Sequence, residues 1–110
     1  MISENIKHPT DSSFDEEVLQ SSLVTLVFFW ATWSGPCKQS TPIMHSLAVQ
    51  YLGRLQVCFV NVDQQLTLAQ RFAVGPVPHL IIFKGGKIVA SIVGAIPRTK
   101  IESELLKHLQ

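Results

Sequence analysis

Trp30-Ala31-Thr32-Trp33-Ser34-Gly35-Pro36-Cys37-Lys38 separates an almost continuous apolar run, residues 23–30, from a longer segment with helical periodicity. Such a join, buried strand into helix, is where chemistry can be built from backbone alone. Gly35 and Pro36 set a tight entry, and proline suits a first helical turn because its missing N–H is not needed there. Ser34 stands three residues before Cys37, the spacing of an N-cap whose side-chain oxygen accepts the N3 amide. A thiol at N3 lies among unpaired N–H groups at the positive end of the helix dipole. That environment favours the thiolate, which is the nucleophilic form.

Working outward, Val24, Val27, Phe28 and Phe29 give the preceding run the character of a strand buried on both faces. After the motif, Ile43, Met44, Leu47, Ala48, Tyr51 and Leu52 repeat as one helical face that Gly53 ends. Residues 55–62 read as a second buried strand. Leu66, Ala69 and Ala73 suggest a shorter helix. Residues 80–83 and 87–93 flank Lys84-Gly85-Gly86-Lys87, a hairpin turn signal. Ile101, Leu105 and Leu109, behind Pro97, mark a closing helix. Upstream, Ser13 and Glu16 have capping-box spacing for a helix running to about Gln20, and a further strand can precede residue 9. Strands joined through helices are expected to run parallel, with the hairpin adding an antiparallel edge. The expected class is α/β, a mixed central sheet with helices on both faces, formed as a single domain over residues 1–110.

Composition narrows the function. In 110 residues, nine Lys and Arg face eight Asp and Glu, for a net charge of +1 without any block of one sign. This lacks the basic footprint of a nucleic-acid binder or membrane-surface protein. Apolar residues at 46% against 15% charged exclude disorder. The apolar run over residues 26–31 is far below the roughly 20 that a membrane helix needs. The N-terminal residues show no basic stretch followed by an apolar one, so a reducing cytoplasm is the expected compartment. Two cysteines, Cys37 and Cys58, are too few for a disulfide scaffold or an unassisted zinc site. His8, His45 and His108 lack metal-ligand spacing with them and are expected at the surface; no metal is expected. Cys58 should face opposite to Val57 and Phe59, because side chains alternate along a strand, and act as a small core hydrophobe.

The chain resembles the thioredoxin family over essentially its whole length. Trp33-Ser34-Gly35-Pro36-Cys37-Lys38 is similar to that family's Trp-Cys-Gly-Pro-Cys-Lys active site with the first cysteine changed to serine. Pro42 falls where members kink the active-site helix. Val77-Pro78 resembles the cis-proline loop that docks extended polypeptide, and Gly94 falls where a glycine lines the same groove. The resemblance implies a sheet of about five strands with four helices. It implies protein substrates bearing disulfides or thiols, thioredoxin reductase as electron source, no bound cofactor, and an apolar groove formed by Trp30, Trp33, Val77, Pro78, Gly94 and Ala95. It also places Cys58 well away from the active-site loop, which argues against a Cys37–Cys58 bond, since such a bond needs Cα atoms within about 7 Å.

Three departures modify this expectation. The attacking position holds Ser34, and a hydroxyl has no useful anionic fraction at neutral pH without a base. Cys37 keeps the resolving position with no partner in the motif. Phe28 stands where thioredoxins carry a buried Asp, and Phe59 where a Lys often approaches it. Replacing a buried ion pair by apolar groups is often neutral or stabilising by roughly 1–4 kcal/mol, so two rings can trade proton-transfer machinery for packing. Ser34 is then either natural divergence or a replacement that blocks a redox site. The expected function is an oxidoreductase scaffold with Cys37 as a monothiol. The alternative is a non-catalytic polypeptide-binding or chaperone module. Two further readings stay open. One is a Ser34–His79 nucleophile; the other is a peroxidatic Cys37, since Ser34-x-x-Cys37 is similar to the Thr/Ser-x-x-Cys element of peroxiredoxins. Those enzymes carry Pro where this chain has Trp30.

Overall fold

In a computed structural model describing residues 5–109, the two long apolar runs become neighbouring central strands of a five-stranded sheet. In chain order the elements are β1 (Ile6–Lys7), a wide helical turn (Asp15–Leu19), β2 (Val24–Trp30), α1 (Gly35–Gln50) and β3 (Leu55–Asn61). They continue with α2 (Leu66–Arg71), β4 (His79–Lys84), β5 (Lys87–Val93) and α3 (Arg98–Leu106). The strands lie in the order β1-β3-β2-β4-β5, and the helical turn makes four helices in all among the described residues. Residues 1–4, part of the stretch read for a leader, lie outside the described residues.

Alternation along β2 and β3 feeds two separate cores. Leu26, Phe28, Val57 and Phe59 pack with Cys37, Met44 and Leu47 of α1 and with Ile101 and Leu105 of α3. Val27, Phe29, Cys58 and Val60 point the other way, against Phe14, Val18 and Leu68. In that second layer Phe14, Phe72 and Phe83 form a triangle of rings with centroids 5.2–5.7 Å apart. Tilted and edge-to-face pairs at this spacing add to the burial of each ring. The hairpin turn follows its sequence signal. Gly85 and Gly86 have φ of +60° and +78°, as a primed turn requires, and a Cβ on Gly86 would come 2.9 Å from the Leu19 carbonyl oxygen.

The structure differs from expectation where local pattern competes with long-range contact. β3 pairs in parallel with β1 and β2, but β4, although reached from β3 through α2, runs antiparallel to β2. A parallel return must carry the chain back along the strand's length, roughly 23 Å for seven residues. The six residues of α2 rise only about 9 Å, so β4 starts at the end of the sheet where β3 stopped. The cap of the first helical turn also moves. Thr10 N–H donates to Ser13 Oγ at 2.8 Å and Ser13 N–H to Thr10 Oγ1 at 3.2 Å, a reciprocal box opened by Thr10 rather than Ser13. Glu16 is exposed, and Ser13 Oγ donates to Glu17 instead. Leu52 (65% exposed) and Leu66 (59%) lie outside the core, while Leu68 is the buried residue of α2.

Ala73 closes α2 in the left-handed region, at φ +53°, with Val74 N–H donating back to Ala69 O at 2.8 Å. Glycine is the usual occupant of that cap. Relief of about 1–2 kcal/mol of steric cost, offset by the greater freedom of an unfolded glycine, sets the expectation for Ala73→Gly. It should stabilise the fold by about 0.5–1 kcal/mol in urea denaturation, whereas a loss would place some other restraint on that turn.

Candidate functional site

β2, the middle strand, delivers the chain to the carboxyl end of the sheet's parallel strands, and α1 starts there after Ser34. Ser34 has extended backbone geometry (φ −95°, ψ 113°), and its Oγ accepts the Cys37 N–H at 3.2 Å. The side chain therefore satisfies one amide that α1 cannot bond internally. On its other side the same hydroxyl donates to the Val77 carbonyl at 3.5 Å. Gly35, Pro36 and Lys38 are exposed, whereas Ser34 is 4% and Cys37 1% exposed. Pro42 sits inside α1, where it cannot supply the amide that the Lys38 carbonyl would take, and the Thr41 hydroxyl bonds the Cys37 carbonyl at 2.9 Å.

The loop facing this helix terminus carries a cis Val77–Pro78 peptide. It is tied to the end of β5 by Gly94 N–H, which donates to Pro78 O at 2.8 Å. Gly94 itself has φ +99°, a conformation that leaves no good alternative to glycine. Val77 and Trp30 are half-buried against the α1-side core; Pro78 is buried and Ala95 exposed. Trp33 is 69% exposed, and its indole N–H donates to Asp63 Oδ2 at 2.9 Å. Asp63, thirty residues away in sequence, carries no local pattern that could announce it.

In the core that also holds Cys37, Phe28 is fully buried and its ring meets that of Phe59 edge-on at 5.0 Å. The His45 ring covers the outer side of Phe59 at 5.3 Å, so His45 is half-buried rather than on the surface; His108 is half-buried too, and His8 exposed. The floor of that core is thus aromatic, with no carboxylate in the Phe28 position. Cys58 lies in the opposite core, across the sheet from Cys37, and both thiols are free. Burial, and secondarily the charge of Glu17, pushes the Cys58 thiol up to about 12, leaving it without nucleophilic character at neutral pH.

The Ser34–His79 nucleophile is not assembled. His79 pairs with Phe29 across β2 and β4 and shares the layer opposite Cys37. Its Nε2 lies 2.7 Å from Ser91 Oγ, while the Ser34 hydroxyl is engaged with Cys37 and Val77. Adjacent residues of one strand alternate faces, which separates His79 from the site that Pro78 lines.

Comparison with known proteins agrees with this geometry. The thioredoxin family model matches residues 5–107. Thioredoxin 1 of Nostoc sp. is 44% identical over 100 residues, covering 91% of this chain and 94% of the relative. Thioredoxin 1 of Synechococcus elongatus is 42% identical over the same span and coverage. The thioredoxin of Porphyra purpurea is 36% identical over 105 residues, covering 96% of this chain and 98% of its own. With the sheet order, the helix-terminal Gly-Pro-Cys and the facing Pro78 loop already in place, these matches show that the chain belongs to the thioredoxin family.

Proposed function

We propose that this chain is a thioredoxin-family thiol–disulfide oxidoreductase scaffold in which the dithiol step is blocked at Ser34 and Cys37 remains as a monothiol. The carrying observation is the Ser34 side chain itself, which occupies the attacking position as a satisfied helix cap. Neither route to a second thiol is open, since Cys58 lies across the sheet. Cys37 can attack a substrate disulfide, forming a mixed disulfide and expelling the other sulfur as a thiolate. Nothing in the motif then resolves that bond, so an external thiol must do so.

The natural ligands are protein thiols or disulfides presented in extended form along Trp33, Val77, Pro78, Gly94 and Ala95. Pairing with the Val77 backbone would be a form of strand addition. Thioredoxin reductase would be the electron source for a form with cysteine at position 34, acting in the cytoplasm and within a single domain. Among the described residues no helix is long and apolar enough to cross a membrane. The second reading, a non-catalytic polypeptide-binding module, is favoured by the near-complete burial of Cys37 beside an exposed Trp33.

An insulin-reduction assay with dithiothreitol tests the first reading. The chain should precipitate insulin no faster than dithiothreitol alone, and appreciable turnover would overturn the role given to Ser34. Incubation with glutathione disulfide then separates the two readings. A persistent adduct on Cys37 by mass spectrometry supports the monothiol, and no adduct in the folded chain supports the binding module.

A further inference from the structure

His79 opens β4 directly after Pro78 and is 7% exposed. Its Nε2 is bonded to Ser91 Oγ on β5 at 2.7 Å. Its Nδ1 is, among the described residues, the one buried side-chain nitrogen or oxygen with no hydrogen-bond partner. A bare lone pair is tolerated in that position better than an orphaned N–H, so the neutral ring carries its proton on Nε2 and donates it to Ser91.

Protonation places a second N–H on Nδ1 and a charge in the same layer. The groups shown against it are Phe29 of β2 and Ser91 and Val93 of β5, none of which titrates or carries charge. The apolar layer they join holds one titratable group, the Cys58 thiol, which is neutral at these pH values. Burial alone therefore holds the His79 imidazole below the ordinary histidine value. The imidazolium is satisfied only by reaching water, and its two neighbours on β5, Ser91 and Val93, are both exposed. That movement disturbs the His79–Val93 pair, and the next bond along is Gly94 N–H to Pro78 O at 2.8 Å.

We propose that His79 is a pH-responsive positioning residue for the polypeptide-docking loop. Neutral, it clips β4 to β5 beside the Pro78–Gly94 bond; protonated, it releases that clip. Only the binding consequence rests on the groove proposed above. If the clipped state alone binds polypeptide, affinity falls about tenfold for each pH unit below the His79 midpoint.

The test combines NMR titration with binding. Imidazole and amide spectra recorded from pH 8 to 4.5 should show His79 as the Nε2–H tautomer at neutral pH. Its midpoint should lie below that of a histidine in a short peptide, and the Gly94 amide should shift with the same midpoint. In Ser91→Ala, which removes the clip's acceptor on β5, the Gly94 amide should sit near its acid-limit position already at neutral pH and no longer follow the His79 titration. A reduced, S-alkylated insulin B chain serves as the binding probe. Its affinity should fall with acid pH in the parent chain and stay flat in His79→Gln. A Gly94 amide that ignores the His79 titration in the parent chain, or still follows it in Ser91→Ala, overturns the proposal whether or not the B chain binds. An equal acid loss of affinity in both chains overturns the link to docking. Failure of the B chain to bind at any pH, with Gly94 tracking His79, leaves the clip standing and counts against the groove.

Discussion

Ser34→Cys should convert this chain into a disulfide reductase, raising insulin-reduction turnover at least on the order of 100-fold above its own baseline. The Ser34 oxygen already lies 3.2 Å from the Cys37 N–H at the opening of α1. A sulfur in its place would sit among the same unpaired amides, where the thiolate is favoured. It would also face the Val77 carbonyl, on the loop proposed above to dock an incoming disulfide strand. The attack step is then restored, and Cys37 supplies the resolving thiol. The second step lacks a nearby carboxylate to take the Cys37 proton, because Phe28 fills that position. The mixed disulfide should therefore be long-lived enough to trap by acid quenching. A variant that folds and remains inactive would move the block from Ser34 to the Phe28–Phe59 floor.

Substitution of Phe28 should produce the largest loss of stability. Its ring is fully buried, paired edge-on with Phe59 and enclosed by the α1-side core. Truncation of a buried phenylalanine to alanine costs about 3–5 kcal/mol, a large part of the roughly 5–15 kcal/mol that holds a domain together. Phe28→Asp should cost more still at neutral pH, because a carboxylate there has no partner and cannot stay hydrated. Burial raises the carboxyl pKa in the folded state above its unfolded value. The protonated form is then the better tolerated one, and stability falls as pH rises from the unfolded value through the folded one. Urea denaturation at pH 5 and pH 7.5 gives both quantities. Equal stability of Phe28→Ala and Phe28→Asp at pH 7.5 would mean that water reaches this position, and the floor would no longer be sealed.

These expectations depend on features of different visibility in the chain. Cys37 and Cys58 were separable in advance, because the period of two in β3 puts Cys58 on the face away from Val57 and Phe59. Ser34 as a cap was legible because capping depends on a three-residue spacing. His79 was legible as a residue and not as a role. Its nearness to Pro78 suggested a place in the site, whereas the strand alternation and the bond to Ser91 take it elsewhere. Asp63 could not be found, since its bond to Trp33 joins segments with no common periodicity.

By itself the sequence determined the element order, the two-faced sheet and the thiol at the start of a helix, all of which follow from short-range spacing, turn chemistry and apolar patterning. That Ser34 takes the place of an attacking cysteine is what the resemblance to the thioredoxin family implies. Tertiary structure alone decided the direction of β4, the exclusion of Leu52 and Leu66 from the core, and the shift of the first cap to Thr10. It alone turned His79 away from Ser34. Those outcomes depend on how far a six-residue helix can carry the chain and on which distant groups reach a shared layer. They arise from closure of the whole fold, which no local window contains.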